Sequence, residues 1–249
     1  MQRRVFYFHH IPKTAGTSVR LWLASCFGDN MCPAGIADGL VTIPSRELGR
    51  YSVFSGHFHS YLPQYLEREV IAFTVLRDPV ARTRSHWHEV RRTAQHPHHA
   101  RVCSQNFAEF VDDNRNRVMI ENYQTRYLTN LQINMRELAQ RFSPDELSRY
   151  ALAEALEQAS MSVAKPILAA SVNETLGNMS VVGVCERLHD FLVKVSRILE
   201  VPAPSVEAVP RANVTEKDDA GGLPAAALAR LRELTRIDQE LYESVCAQL

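Results

Sequence analysis

The feature that most constrains the fold is a single stretch near the N-terminus. Val5-Phe6-Tyr7-Phe8-His9-His10-Ile11 is an apolar, aromatic run of strand length that breaks at Pro12. The chain then passes through Lys13-Thr14-Ala15-Gly16-Thr17-Ser18 and enters Val19-Arg20-Leu21-Trp22-Leu23-Ala24, which has helical composition. A buried strand followed by a small-residue turn and a helix start predicts an anion site. Backbone N–H groups and the positive end of the helix dipole meet where the turn joins the helix. Gly16 is expected to let the chain approach a phosphate closely. Thr17 and Ser18 add hydroxyl donors, and Lys13 adds a mobile positive charge. The loop is not a Walker A sequence, in which Lys directly follows the last Gly. Here Lys13 precedes Gly16 by three residues and would reach the anion from the strand side.

Composition narrows the function classes. At 249 residues, 45 % of them hydrophobic, the chain is long enough for one large α/β domain. Lys+Arg and Asp+Glu number 28 each, so no global field favours nucleic acid or a membrane surface. Five scattered cysteines, Cys26, Cys32, Cys103, Cys185 and Cys246, form no Cys-x-x-Cys pair, which predicts reduced thiols rather than a disulfide framework or a zinc site. No apolar run is long enough to span a bilayer. The first strand begins with no room for a signal peptide or N-terminal anchor, so the expected location is cytoplasmic.

Further along, Gly28 to Pro44 reads as a loop, and Tyr51 to Phe58 as a second strand ending at Gly56-His57. Val70-Ile71-Ala72-Phe73-Thr74-Val75-Leu76 is a continuous β-rich run of the kind buried in a parallel sheet. It stops at Arg77-Asp78-Pro79, and Pro79 opens a helix carrying Arg82, Ser85, His86, Trp87 and Val90. Phe107 to Tyr150 is helical with short breaks, and Asp145 to Ala159 is an amphipathic helix begun by Ser143-Pro144. Val181 to Cys185 is another strand, with Glu186 and Arg187 expected in a structural role at its end. Val201 to Gly222 reads as loop, with Pro210 to Thr215 a candidate lid, and Ala225 to Leu249 as one or two helices.

Ligands of open α/β sheets sit at the carboxyl ends of the strands. Three chemically distinct groups fall there: Lys13 to Ser18, His57, and Arg77 with Ser85. Arg77, Arg82, Arg84, Arg91, Arg92 and Arg101 face only Asp78 and Glu89 in the same segment, which reads either as a solvated helix face or as an anion-collecting rim. His96, His98, His99 and Cys103 lack a metal-site spacing and read as loop. Two phosphate-binding groups, a base and no evident magnesium ligand, Asp78 excepted, describe sulfuryl transfer from 3′-phosphoadenosine 5′-phosphosulfate (PAPS). The transferring sulfuryl group carries less charge than a phosphoryl group, so lysine and backbone amides can take the place of a metal.

The chain resembles PAPS-dependent carbohydrate sulfotransferases, nearest the heparan sulfate 2-O-sulfotransferase group and its bacterial relatives. His10-Ile-Pro-Lys-Thr-Ala-Gly-Thr-Ser18 is similar to the family's 5′-phosphosulfate loop. Arg77-Asp-Pro-Val-Ala-Arg-Thr-Arg-Ser85 is similar to its 3′-phosphate motif, and Gly56-His57 to the segment bearing its catalytic histidine. Weaker echoes are Asn122 to Tyr127, Val182 to Arg187, Asn213-Val-Thr215 and Asp238 to Tyr242. The resemblance implies a single sulfotransferase domain over residues 1–249, with a P-loop-NTPase-like three-layer sandwich around a central parallel sheet. It implies His57 and Lys13 as catalytic residues. Lys13, Thr14, Ala15, Gly16, Thr17, Ser18, Arg77, Ser85, Asn213 and Thr215 would hold PAPS, with no metal. The acceptor would be a hydroxyl of a polysaccharide, oligosaccharide or glycolipid. Ser55 stands where the animal enzyme has a second histidine, and His59 is the candidate to replace it. The competing expectations are a P-loop kinase using ATP and Mg²⁺, and a nucleotide-binding interaction module with no need for His57.

Overall fold

The computed structural model describes residues 4–59, 62–130, 133–206 and 223–249. The candidate PAPS ligands Asn213 and Thr215, and the Pro210 to Thr215 lid, lie outside the described residues.

The four apolar runs form β1 (Val5–His9), β2 (Val53–Gly56), β3 (Val70–Leu76) and β4 (Val181–Val184). They make a parallel sheet in the order β2-β1-β3-β4. In register, Phe8 lies between Ser55 and Phe73, and His9 between Gly56 and Thr74. The helices used below are α1 (Gly16–Phe27), α2 (Ala37–Val41), α3 (Pro79–Arg92), α4 (Tyr123–Leu128), α5 (Ala151–Met161), α6 (Lys165–Gly177), α7 (Leu188–Leu199), α8 (Ala225–Leu234) and α9 (Arg236–Gln248).

Period-two alternation along β1 sends side chains to both faces of the sheet. Val5 and Tyr7 pack with Leu40 of α2 and Leu152 and Leu156 of α5. Phe8 packs with Val19, Trp22 and Leu23 of α1 and with Phe191, Leu192 and Val195 of α7. The protein is therefore α/β, with a parallel sheet flanked by helices. Each fully buried side chain of this size contributes about 1.5–3 kcal/mol. Close packing on the second face depends on Gly183, because a Cβ there would come 2.6 Å from the Phe191 ring.

Some elements differ from the sequence reading. The Gly28 to Pro44 segment contains a 3₁₀ turn and α2. The second strand is shorter, Val53–Gly56. The helix expected over 145–159 is two. Ser143 and Glu146 form a capping box that starts Pro144–Leu147. Tyr150 then turns left-handed (φ 68°) and α5 begins. Asp38 fixes this break by accepting the Leu152 and Ala153 N–H groups at 2.8 and 3.0 Å, acting as a cap from a distant part of the chain. The C-terminal segment is two helices, α8 and α9.

Candidate active site

The chain leaves β1 toward β2 on one side of the sheet and leaves β3 toward β4 on the other. The carboxyl ends of β1 and β3 thus border a topological switch point, the place where open α/β sheets hold ligands. A cavity of about 800 Å³ opens there. Lys13, Ala15, Gly16, Thr17, Ser18, His57, Arg77 and Ser85 all line it.

The β1–α1 loop is bent into shape by two non-glycine residues with left-handed backbone, Lys13 (φ 72°) and Ala15 (φ 65°). Each such residue costs about 1–3 kcal/mol, a cost met where the surroundings hold the conformation for a purpose. Ala15 is the N-cap of α1 and makes no side-chain cap hydrogen bond. Arg77 locks the loop from the neighbouring strand, its Nη1 donating to the Lys13 carbonyl at 3.2 Å. Gln124 holds Arg77 in turn, accepting from its backbone N–H at 2.9 Å and donating to its carbonyl at 2.8 Å. On α3 the Asp78 carboxylate accepts from Ala81 N–H at 2.7 Å, and Ser85 and Glu89 lie one turn apart facing the cavity.

Lys13 touches the Glu89 carboxylate. Burial, with Arg92, Arg77 and Arg82 nearby, pushes the Lys13 ammonium down to about 8. The contact with Glu89 works against that shift, so we take Lys13 as charged at neutral pH.

His57 Nδ1 lies 2.8 Å from the His10 carbonyl. A carbonyl can only accept, which assigns the proton to Nδ1 and leaves Nε2 as the nitrogen able to take a proton. Burial pushes His57 down to about 4, opposed by that hydrogen bond and assisted by the charges of Lys13 and Arg20. The ring is therefore neutral at pH 7. His10 lies against it with ring centroids 4.1 Å apart, and Tyr127 meets it edge-on at 6.2 Å. His59 also lines the cavity, stacked on Tyr127 at 3.9 Å, whereas the Ser55 hydroxyl is buried away from it.

Several expectations change. Thr14 is fully buried and its hydroxyl donates to the Ile11 carbonyl at 2.9 Å, so its side chain does not reach the cavity. Gly16 answers a steric demand inside the protein: a Cβ there would overlap the His10 ring. Three arginines of α3 are spent on aromatic rings rather than on a rim facing the cavity, while the fourth, Arg92, is exposed and its charge helps push the Lys13 ammonium down. Arg82 is buried over Tyr123 at 4.2 Å, Arg84 lies over Phe107 and Arg91 over Trp87, leaving Arg77 as the arginine that lines the cavity. Glu186 and Arg187 are exposed, and each has a partner at the strand end: Tyr242 for Glu186, and Asp190 at 2.9 Å for Arg187. His96 and His98 line the cavity, and His99 bonds the Val90 carbonyl. Among the described residues no group of three His, Cys, Asp or Glu is arranged to hold a metal ion.

Sequence reasoning gave no role to His10, Glu89, Tyr123, Tyr127 or Glu157, all of which line the cavity. The one available signal was the weak echo around Asn122 to Tyr127 and Asp238. Asp238 accepts from Gln124 N–H, Thr125 N–H and the Thr125 hydroxyl at 3.0, 2.8 and 2.7 Å, fixing the helix that carries both tyrosines. No family model matches the chain, and no curated protein matches it significantly. Among the described residues no helix is long and apolar enough to cross a membrane.

Proposed function

We propose that this protein is a sulfotransferase, built on a P-loop-NTPase-like sheet, that uses PAPS to sulfate a hydroxyl of a carbohydrate-type acceptor. The observation that carries the reading is the single cavity at the β1/β3 switch point lined by Lys13, Gly16 to Ser18, His57, Arg77 and Ser85. Bound there, PAPS would supply the sulfuryl group. The residues suit its two ends. The start of α1, without a side-chain cap, faces an anion with the positive end of its dipole. Lys13 brings a charge to the oxygen between sulfur and phosphate. Arg77 and Ser85, on the far side of the switch point, suit the separate 3′-phosphate. His57, neutral with Nε2 available, takes the proton of the acceptor hydroxyl as general base.

Asp78 is the acid that a magnesium-dependent kinase would need after β3, and its carboxylate is engaged as the cap of α3. That observation favours the sulfotransferase reading over the kinase. A thermal-shift panel separates them. At a hundredfold excess over Kd, 3′-phosphoadenosine 5′-phosphate should add about 2.7 kcal/mol, a rise of roughly 5–10 °C for a chain of this size. ATP with Mg²⁺ should add far less; the reverse order would favour the kinase.

A further inference from the structure

A continuous wall leads from His57 to the mouth of the cavity. The His57 ring meets Tyr127 at 6.2 Å, and Tyr127 stacks on Tyr123 at 5.7 Å. The Tyr123 hydroxyl donates to Glu157 Oε1 at 2.6 Å. From Glu157 the wall continues along α5: Glu154, Ala153 and Tyr150 all line the cavity. Ala153, Glu154 and Glu157 share one face of α5, three and four residues apart, and Tyr150 at its N-cap extends the lining toward the mouth. Tyr150 is 42 % exposed, a large aromatic ring presented at the mouth. Its backbone is left-handed, just ahead of the Leu152 and Ala153 N–H groups that Asp38 caps.

The charges along this wall are of one sign. Among the described residues, Lys13 and Arg77 are the Lys and Arg side chains lining the cavity, and both belong to the strand ends. Arg126, close behind the wall, spends its guanidinium on the Glu121 and Val118 carbonyls and the Ser160 hydroxyl. On this wall the carboxyls of Glu154 and Glu157 face the cavity, with Arg126 and Arg82 set behind Glu157, so an acceptor bearing uronates or sulfates would meet the two carboxyls first. A pyranose without anionic groups fits: its C–H face lies on an exposed aromatic ring, and its hydroxyl or ammonium protons go to the carboxylates.

We propose that Tyr150, Glu154 and Glu157 form the acceptor subsite and select a neutral or amine-bearing sugar over a uronate- or sulfate-bearing chain. The claim rests on the sulfotransferase reading for what happens to that sugar, but sugar binding can be read independently of transfer. Saturation-transfer NMR on the full chain loaded with 3′-phosphoadenosine 5′-phosphate, using maltotetraose, a chitosan tetrasaccharide and a heparosan tetrasaccharide, tests it. Signal is expected from the first two probes and not from heparosan. Tyr150→Ala and Glu154→Gln should each weaken the favoured probe about tenfold, the scale of one charge-assisted hydrogen bond or aromatic contact. The thermal shift with 3′-phosphoadenosine 5′-phosphate should be unchanged in both variants. Preference for heparosan, silence from both other probes, or unchanged binding in both variants would overturn the proposal. Loss of the nucleotide shift in the unaltered protein would instead overturn the sulfotransferase reading and leave the sugar result standing.

Discussion

The guanidinium of Arg77 donates to the carbonyl of Lys13 at 3.2 Å, bridging the carboxyl ends of β3 and β1 across the switch point of the sheet. Two motifs 64 residues apart thereby share one cavity. The guanidinium has five N–H donors, so a single bond to Lys13 leaves others for an anion. The same bond holds Lys13 in a left-handed conformation that a lysine would not choose alone.

In the proposed function His57 is the base, since the bond of its Nδ1 to the His10 carbonyl leaves Nε2 to accept a proton. Replacing it with alanine should lower kcat by about 10²–10⁴-fold, the usual worth of general-base catalysis. Binding of 3′-phosphoadenosine 5′-phosphate, followed by calorimetry, should change little. A variant with undiminished turnover would remove the assignment.

Glu89 restrains Lys13 and adds negative charge beside Ser85. Glu89→Gln should release the ammonium and lessen repulsion of an incoming anion. Because the Glu89 side chain is 43 % exposed, solvent screening limits the gain. We expect the Kd for 3′-phosphoadenosine 5′-phosphate to fall by roughly threefold to tenfold. Weaker binding would mean that Glu89 positions Lys13 for the ligand instead.

Asp238 acts on architecture. Its carboxylate satisfies two backbone N–H groups and one hydroxyl at the start of α4. Asp238→Ala should cost about 2–5 kcal/mol in chemical denaturation, since buried donors would be left without partners. Loss of less than 1 kcal/mol, on the order of a single exposed contact, would contradict the role.

The strands and the turn from β1 into α1 were legible because they are written locally. Val70 to Leu76 and Val5 to His9 are runs of β-forming apolar residues, and each ends in a breaker beside a charged residue. What escaped the sequence depends on partners far away. Asp38 and Asp238 each cap a helix at a first amide 114 residues distant, Leu152 for the one and Gln124 for the other. No local pattern announces that Tyr150 will line the cavity, or that Arg82, Arg84 and Arg91 will lie on aromatic rings. Gly16 was legible as a demand for a small residue, but its cause, the His10 ring, emerges only when strand and helix are packed together.

Acid should destabilise the fold through its buried histidines. Burial pushes His9 down to about 3 and His57 and His96 down to about 4, and holds His10, His59 and His86 well below the usual value. The unfolded chain takes up these protons near pH 6.5, so below that value it binds more protons than the native state and stability falls. Asp38, Glu154, Glu157 and Asp238, whose carboxyls are raised chiefly by burial, oppose this but are fewer than the histidines. Each histidine contributes about 1.4 kcal/mol per pH unit in the window between its unfolded and folded values. Urea midpoints should be flat from pH 8 to 7 and drop steeply from 6.5 to 5; a flat profile over that lower range would contradict the burial of these rings.

The most direct test of the central claim is calorimetry of two nucleotides on the unaltered protein and on Arg77→Ala. The account predicts that the unaltered protein binds 3′-phosphoadenosine 5′-phosphate much more tightly than adenosine 5′-phosphate. It predicts that Arg77→Ala erases most of this preference, a loss of about 10–100-fold for a charge-assisted contact, while adenosine 5′-phosphate binds nearly as before. Equal losses for the two nucleotides, or no preference in the unaltered protein, would contradict it.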